Sequence, residues 1–159
     1  MSSILVVDPK KCAGCRTCEL MCSFGRVNEF NPRLSAVTVL HYEAAMTSVP
    51  VMCMQCDEAC CLKVCPVGAI TRDENGVVST NADKCIVCKM CVSACPLGNI
   101  SYSPSEKKVF KCDLCGGDPK CVKFCSPGAI QLVDPSETLS RKKAVAESFK
   151  QVFGEEVSS

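Results

Sequence analysis

The stretch that decides the fold reads CIVCKMCVSACP and occupies residues 85–96. Its cysteines follow the spacing C-x2-C-x2-C-x3-C-P, in which three cysteines bind one [4Fe–4S] cluster and the fourth reaches a second cluster. The preceding stretch, CMQCDEACCLKVCP at residues 53–66, varies this spacing as C-x2-C-x4-C-x3-C-P. Together the two stretches predict a pair of clusters that exchange their fourth ligands.

Two further cysteine runs flank this central pair. Residues 12–22 read CAGCRTCELMC, and residues 112–125 read CDLCGGDPKCVKFC. Four runs of four cysteines use all but one of the 17 cysteines in the chain. The remaining cysteine is Cys60 or Cys61. Only Cys61 has the C-x3-C spacing to Cys65 that the other runs show, so we predict that Cys60 is a free thiol.

The composition favours a fold built around metal–thiolate bonds. The 159 residues include no Trp, aromatic residues make up 5%, and the hydrophobic fraction of 47% counts the cysteines. So few large apolar side chains make a thin core, which bound metal can supplement. The formal net charge of +1, without a basic run, predicts no nucleic-acid partner.

Disulfides and zinc are the alternative uses for these cysteines. The N-terminus lacks the features of a signal peptide, and no apolar stretch is long enough to span a bilayer. We therefore expect a cytoplasmic protein without membrane insertion, in which clustered thiols stay reduced and bind metal. The odd cysteine count also argues against a closed set of disulfides, and the spacing favours Fe–S clusters over zinc.

Short strands and a short helix are predicted within and between the cysteine runs. Alternating β-branched residues predict strands over 4–7 and 36–42, and a helix is expected over 17–24. The sequence Asp-Glu-Asn-Gly at 73–76 predicts a hairpin turn whose second strand is 77–79. The endings PVGAI, PLGNI and SPGAI, which follow three of the runs, form an internal repeat.

Residues 5–133 resemble the four-cluster ferredoxin-like electron-transfer subunits of molybdenum and tungsten oxidoreductases, hydrogenases and carbon monoxide dehydrogenases. The segments FNP at 30–32, AVTV at 36–39 and KCDLC at 111–115 are most similar to subunits that serve tungsten aldehyde oxidoreductases. The resemblance implies an α+β fold of two nested ferredoxin-like modules. Residues 1–52 and 101–133 would form the outer, split module, and residues 53–100 the inner one. Residues 134–159 are predicted to form an amphipathic C-terminal helix.

The resemblance also implies a ligand set for four [4Fe–4S] clusters. Each cluster takes three cysteines from one run and the last cysteine of another. The sets are Cys12, Cys15 and Cys18 with Cys125; Cys112, Cys115 and Cys121 with Cys22; Cys53, Cys56 and Cys61 with Cys95; and Cys85, Cys88 and Cys91 with Cys65.

The implied role is electron relay without catalysis, between a catalytic oxidoreductase subunit and a further redox subunit or carrier. A free-standing polyferredoxin and the iron–sulfur subunit of a hydrogenase or carbon monoxide dehydrogenase are the alternatives. The C-terminal helix is expected either to pack on its own chain or to dock another subunit. That subunit would be the catalytic partner or a second copy of this chain. Three lysines lie inside cluster runs, namely Lys63, Lys89 and Lys123. They either raise the reduction potentials of nearby clusters or are solvated side chains without such an effect. His41 is expected to face solvent.

Overall fold

The structure is a computed structural model that describes residues 4–134. The predicted helix over 134–159 therefore lies outside the described residues, apart from Asp134. Within the described range the strands are β1 (Ile4–Val7), β2 (Val37–Tyr42), β3 (Thr47–Met52), β4 (Ile70–Arg72), β5 (Val78–Thr80), β6 (Ile100–Ser103), β7 (Lys108–Lys111) and β8 (Ile130–Val133). The helices are α1 (Thr17–Val27), α2 (Cys60–Lys63), α3 (Met90–Ala94) and α4 (Lys120–Lys123). This confirms the predicted α+β class of short strands and short helices.

The strands pair into two-stranded antiparallel sheets. Strand β1 pairs with β8, β2 with β3, β4 with β5, and β6 with β7. The first of these pairs joins the two ends of the described chain, with Ile4 opposite Val133 and Val7 opposite Ile130. The other three pairs are hairpins between neighbouring strands. The first and last strands of the described chain are thus neighbours, and the other elements lie between them in the sequence.

Two apolar cores lie between the sheets and helices. The first contains Leu5, Val37 and Ile130 together with cysteines of the first and last runs. The second contains Ile70, Val78, Ile100 and Val109 with cysteines of the two central runs. Because successive strand residues face opposite sides, β7 contributes Val109 to the second core and Phe110 to the first. Strand β7 therefore connects the two cores.

The repeated endings after the cysteine runs explain three of the strands. Ile70, Ile100 and Ile130 are the first residues of β4, β6 and β8, and all three are buried. In each repeat the chain leaves the cysteine run through a turn containing glycine. It then enters a strand whose first side chain points into a core.

Two local predictions differ from the structure. Residues 49–52, for which the sequence predicts no strand, belong to β3. Pro50 is accommodated there opposite Val39, because a two-stranded sheet leaves one side of each strand without a hydrogen-bonded neighbour. Helix α1 covers the predicted 17–24 and continues to Val27, ending at Asn28 with a left-handed φ of 59°. The predicted hairpin is confirmed as β4 and β5, although its second strand begins at Val78.

Candidate metal centre

The first C-x2-C segment of each of the four runs, here called its C-x2-C loop, shares one backbone feature with the other three. The second residue between the two cysteines has a positive φ in every loop: 66° at Gly14, 49° at Gln55, 59° at Val87 and 55° at Leu114. Only one of the four is glycine, and a β-branched residue such as Val87 is an outlier in this region. Such a conformation costs about 1–3 kcal/mol at a residue other than glycine. Four loops with different sequences therefore have a left-handed residue at the same position, which is strained in the three loops without glycine there.

The turn continues past the second cysteine in three of the loops. Arg16, Lys89 and Gly116 follow that cysteine with φ values of 59°, 62° and 68°. In the first and third runs the cysteine between the two left-handed residues is not itself left-handed, and such alternating handedness directs successive N–H groups into a concavity of the type that binds anions, including Fe–S clusters. In the last loop Leu114, Cys115 and Gly116 all have positive φ, so the handedness does not alternate there. In the last loop the Leu114 N–H donates to Cys112 Sγ at 3.5 Å. A cubane with four thiolates is anionic, so the loops fit such a group.

Three cysteine-lined cavities reproduce three of the predicted ligand sets. The cavities have volumes of about 300, 330 and 500 Å³ including their open mouths. They are lined by Cys12, Cys15, Cys18 and Cys125; by Cys65, Cys85, Cys88 and Cys91; and by Cys53, Cys56, Cys61 and Cys95, the last with Cys60 in addition. The structure thus brings three cysteines of one run to the last cysteine of another run in each case.

The fourth set is the most buried. Cys22, Cys112 and Cys121 are buried, and Cys115 is partly buried. Burial raises the pKa of Cys112 to about 12, and the negative charges of nearby thiolates, Cys22 among them, add to the effect. Burial likewise raises the pKa of Cys121 and Cys115, and the Cys22 thiolate again contributes. Cys22 is thus close enough to the other three cysteines for their thiolate charges to interact, and that the four bind one cluster stays a prediction.

The shape of the cavities suits a cluster better than a single ion. Within residues 4–134, no group of three or more His, Cys, Asp or Glu side chains has the geometry of a mononuclear site. A cubane binds each thiolate through a different iron atom, so its ligands surround a volume and do not converge on one point.

Backbone N–H groups also reach the sulfurs that come from the ends of the runs. Ala69 N donates to Cys65 Sγ at 3.2 Å, and Asn99 N donates to Cys95 Sγ at 3.3 Å. The turn that allows this uses a glycine one residue earlier, with φ of 61° at Gly68. Although burial alone would raise the pKa of Cys65, the backbone N–H groups of residues 67–70, those of Ile70 and Ala69 foremost, favour the thiolate, and the net effect lowers that pKa.

Glu19 anchors the helix that carries Cys18 and Cys22. Its carboxylate is buried, accepts a hydrogen bond from Val39 N at 2.6 Å and forms an ion pair with Arg16 Nε at 3.0 Å. This ties α1 to β2. The sequence analysis did not single out Glu19, because nothing in its local pattern shows that a strand amide lies opposite.

Cys60 and Cys61 have different surroundings. Cys60 is exposed, whereas Cys61 is partly buried and packs against the second core. Both line the same cavity. The exposure of Cys60 agrees with the prediction of a spare thiol, which remains a prediction.

Comparison with known proteins identifies the family of the chain. Residues 44–135 match the sequence model of the family described as "4Fe-4S dicluster domain". This chain belongs to the 4Fe-4S dicluster domain family. The matched segment includes three of the four cysteine runs, and the chain therefore binds [4Fe–4S] clusters.

Relatives of this dicluster protein are redox subunits. It is 42% identical over 122 residues to the "Aliphatic sulfonate oxidoreductase, polyferredoxin-like subunit" of Pyrococcus furiosus. The aligned segment covers 76% of this chain and 70% of the relative. It is 37% identical over 91 residues to the arsenate respiratory reductase iron-sulfur subunit ArrB of Shewanella sp., covering 55% of this chain and 39% of ArrB. With the electron transport protein HydN of Escherichia coli K12, the identity is 35% over 101 residues, covering 57% of this chain and 54% of HydN.

A solved structure shows the same fold. A chain of the "Active site complex BamBC of Benzoyl Coenzyme A reductase as isolated" matches with a TM-score of 0.50 and 25% identity, covering 98% of this chain and 93% of that chain. Within the described residues, no helix is both long and apolar enough to cross a bilayer.

Proposed function

We propose that this chain is an electron-transfer subunit that relays single electrons through four [4Fe–4S] clusters, held by the four cysteine sets predicted from the sequence. The observation that carries this proposal is the shared turn of the four C-x2-C loops. The positive φ recurs at equivalent positions in the two outer runs as well as in the two central ones, and it is costly at Gln55, Val87 and Leu114, although not at Gly14. An anionic group in each loop accounts for all four turns.

When bound, such clusters supply one-electron exchange with little structural change. The residues of the chain hold the clusters, limit the access of water and donate hydrogen bonds to sulfur, and these effects set the reduction potential. Ile70, Ile100 and Ile130 exclude water from the inner side of three runs. The N–H groups of Ala69 and Asn99 stabilise negative charge on the ligand sulfurs.

Electrons would enter and leave where ligand sulfurs approach the surface. Cys15, Cys56 and Cys88 are exposed, in three different runs. Large apolar side chains lie beside two of them: Met54 is 49% exposed and Ile86 is 61% exposed. Apolar surface next to an exposed thiolate is suited to contact with a partner protein, because it lets a redox centre approach with water excluded.

The partner that we propose is a catalytic oxidoreductase subunit, with a second redox subunit or carrier at the other end of the relay. The resemblance to subunits of tungsten or molybdenum aldehyde oxidoreductases favours an enzyme of that class. The redox subunits among the relatives support the general assignment. We expect the complex in the cytoplasm, with the chain itself contributing no catalysis.

The proposal is tested with the chain purified under anaerobic conditions. It should accept electrons from a strong low-potential reductant and pass them to a viologen dye, yet show no turnover of aldehydes or formate. Purification of the native complex should recover a catalytic oxidoreductase subunit with it. Substrate oxidation by the homogeneous chain alone would refute the non-catalytic assignment, and failure to exchange electrons would refute the relay.

A further inference from the structure

Lys111 is the one lysine or arginine that is buried within residues 4–134, with 4% of its surface exposed. It is the last residue of β7, directly before Cys112. Its side chain lines the cavity that Cys53, Cys56, Cys61 and Cys95 share. A charged group therefore lies beside a proposed cluster position, in a region from which water is largely excluded.

The ammonium group of Lys111 has polar partners but no paired acid. Its nitrogen donates to the carbonyl oxygens of Val78 and, at 3.0 Å, of Cys112. None of the ion pairs in the described part of the chain includes Lys111. A buried charge without a counter-charge is strongly disfavoured, so the arrangement requires negative charge nearby. The thiolates and cluster of the cavity that Lys111 lines would provide it.

The lysines inside the cluster runs are placed differently. Lys63 pairs with Glu58, and Lys123 pairs with Asp118 at 2.7 Å, and both pairs are exposed to solvent. Lys89 lies over the ring of Tyr102, 3.8 Å from its centroid. Solvent and acidic partners screen the charges of the two ion-paired lysines, whereas the charge of Lys111 acts through the protein interior.

We propose that Lys111 is the counter-ion of the cluster held by Cys53, Cys56, Cys61 and Cys95, and that its charge raises the reduction potential of that cluster. The inference rests on the proposed four-cluster loading. Reduction adds one electron, supplied by a neighbouring cluster or an external donor, and no proton is needed. The added negative charge is stabilised by the fixed positive charge beside it, so the reduced form is favoured.

The position of Lys111 places this effect at the junction of the two cores. The carbonyl oxygen of Cys112, which accepts from Lys111, also accepts from Gln55 Nε2 at 2.8 Å. Cys53 and Cys112 are close enough for their thiolate charges to interact. An electron that passes between the inner and outer cluster sets would therefore move close to Lys111. The positive charge of Lys111 would make the cluster in its cavity the favoured electron acceptor there.

The test compares Lys111→Met with Lys108→Met in the full-length chain. Both substitutions remove one positive charge from β7, but Lys108 is exposed at the far end of the strand. Iron and sulfide are counted first, which separates a failure of the four-cluster loading from a failure of this inference. Reduction potentials are then measured by redox titration followed by electron paramagnetic resonance. In K111M the reduction potential of one cluster should fall by about 59 mV. This shift corresponds to an equilibrium constant for its one-electron reduction that is about tenfold smaller. K108M should keep all potentials.

Lys111→Gln and Lys111→Arg separate charge from structure. The glutamine variant keeps a hydrogen-bond donor without charge and should reproduce the fall, whereas the arginine variant keeps the charge and should stay near the wild-type potential. Unchanged potentials in a fully loaded K111M or K111Q protein would overturn the proposal. Loss of iron from both neutral variants would assign Lys111 a structural role, and this result would also overturn the proposal.

Discussion

Gln55 offers a sharp test of how the two cores are held together. It is 6% exposed and uses both ends of its amide: Oε1 accepts from Val78 N at 2.8 Å, and Nε2 donates to Cys112 O at 2.8 Å. Gln55→Met keeps the length of the side chain and removes both bonds. Each bond contributes about 1 kcal/mol, and a buried amide left without an acceptor costs about 1–3 kcal/mol. Because Lys111 still satisfies the Cys112 carbonyl, we expect a total loss of about 2–4 kcal/mol.

The assay is anaerobic thermal melting at a fixed scan rate, followed through the visible absorbance of the bound clusters. For a chain of this length the loss corresponds to a fall in Tm of about 4–16 °C. The matched control is Gln131→Met, since the Gln131 amide donates to Gly128 O at 3.3 Å in a partly buried position away from the junction. Its Tm should fall by no more than about 4 °C. A Q55M shift within the range of the control would refute the reasoning.

Three further predictions follow from the same geometry. Cys60→Ser should retain all cluster iron, whereas Cys61→Ser should lose or convert one cluster. The reverse outcome would identify Cys60 as the ligand. Val87→Gly relieves about 1–3 kcal/mol of backbone strain, adds about 0.5–1 kcal/mol of chain entropy cost and removes a side chain that packs against the second core. Val87→Ala loses the same packing and keeps the strain, so V87G should melt at a higher temperature than V87A; a lower Tm would contradict the strain argument. If residues 134–159 dock another subunit, their deletion should leave the iron content unchanged and weaken assembly, as measured by size-exclusion chromatography with light scattering. Cluster loss with unchanged assembly would instead favour packing of the tail on its own chain.

The cysteine spacing predicted much of the site because ligation by a cluster fixes which sulfurs must approach each other. Three of the four sets line shared cavities, including Cys125 from the end of the described chain with Cys12 from its beginning, and that they bind clusters stays a prediction. The short strands were also predictable where a turn signal or a β-branched run marked them. Strand β3 was missed because Pro50 argues against a strand unless its missing N–H group faces away from the neighbour.

The residues that the sequence did not reveal act through distant contacts. Nothing local distinguishes Gln55 or Lys111 from the polar residues that surround most cysteine loops. Their roles depend on Val78 and on the Cys112 carbonyl, and Gln55 lies 57 positions before Cys112 in the chain. By contrast, Lys63 and Lys123 attracted attention through their position inside the runs, yet each is exposed and paired with an acid. Burial, which decides how strongly a charge acts, cannot be read from sequence position.

The most direct test of the four-cluster assignment is the iron and acid-labile sulfide content of the anaerobically purified chain, with protein measured by amino-acid analysis. Four cubanes, each bound by four thiolates, predict about 16 iron and about 16 sulfide per chain. A value near eight of each would contradict the account, because it would mean that only one pair of cysteine runs holds clusters.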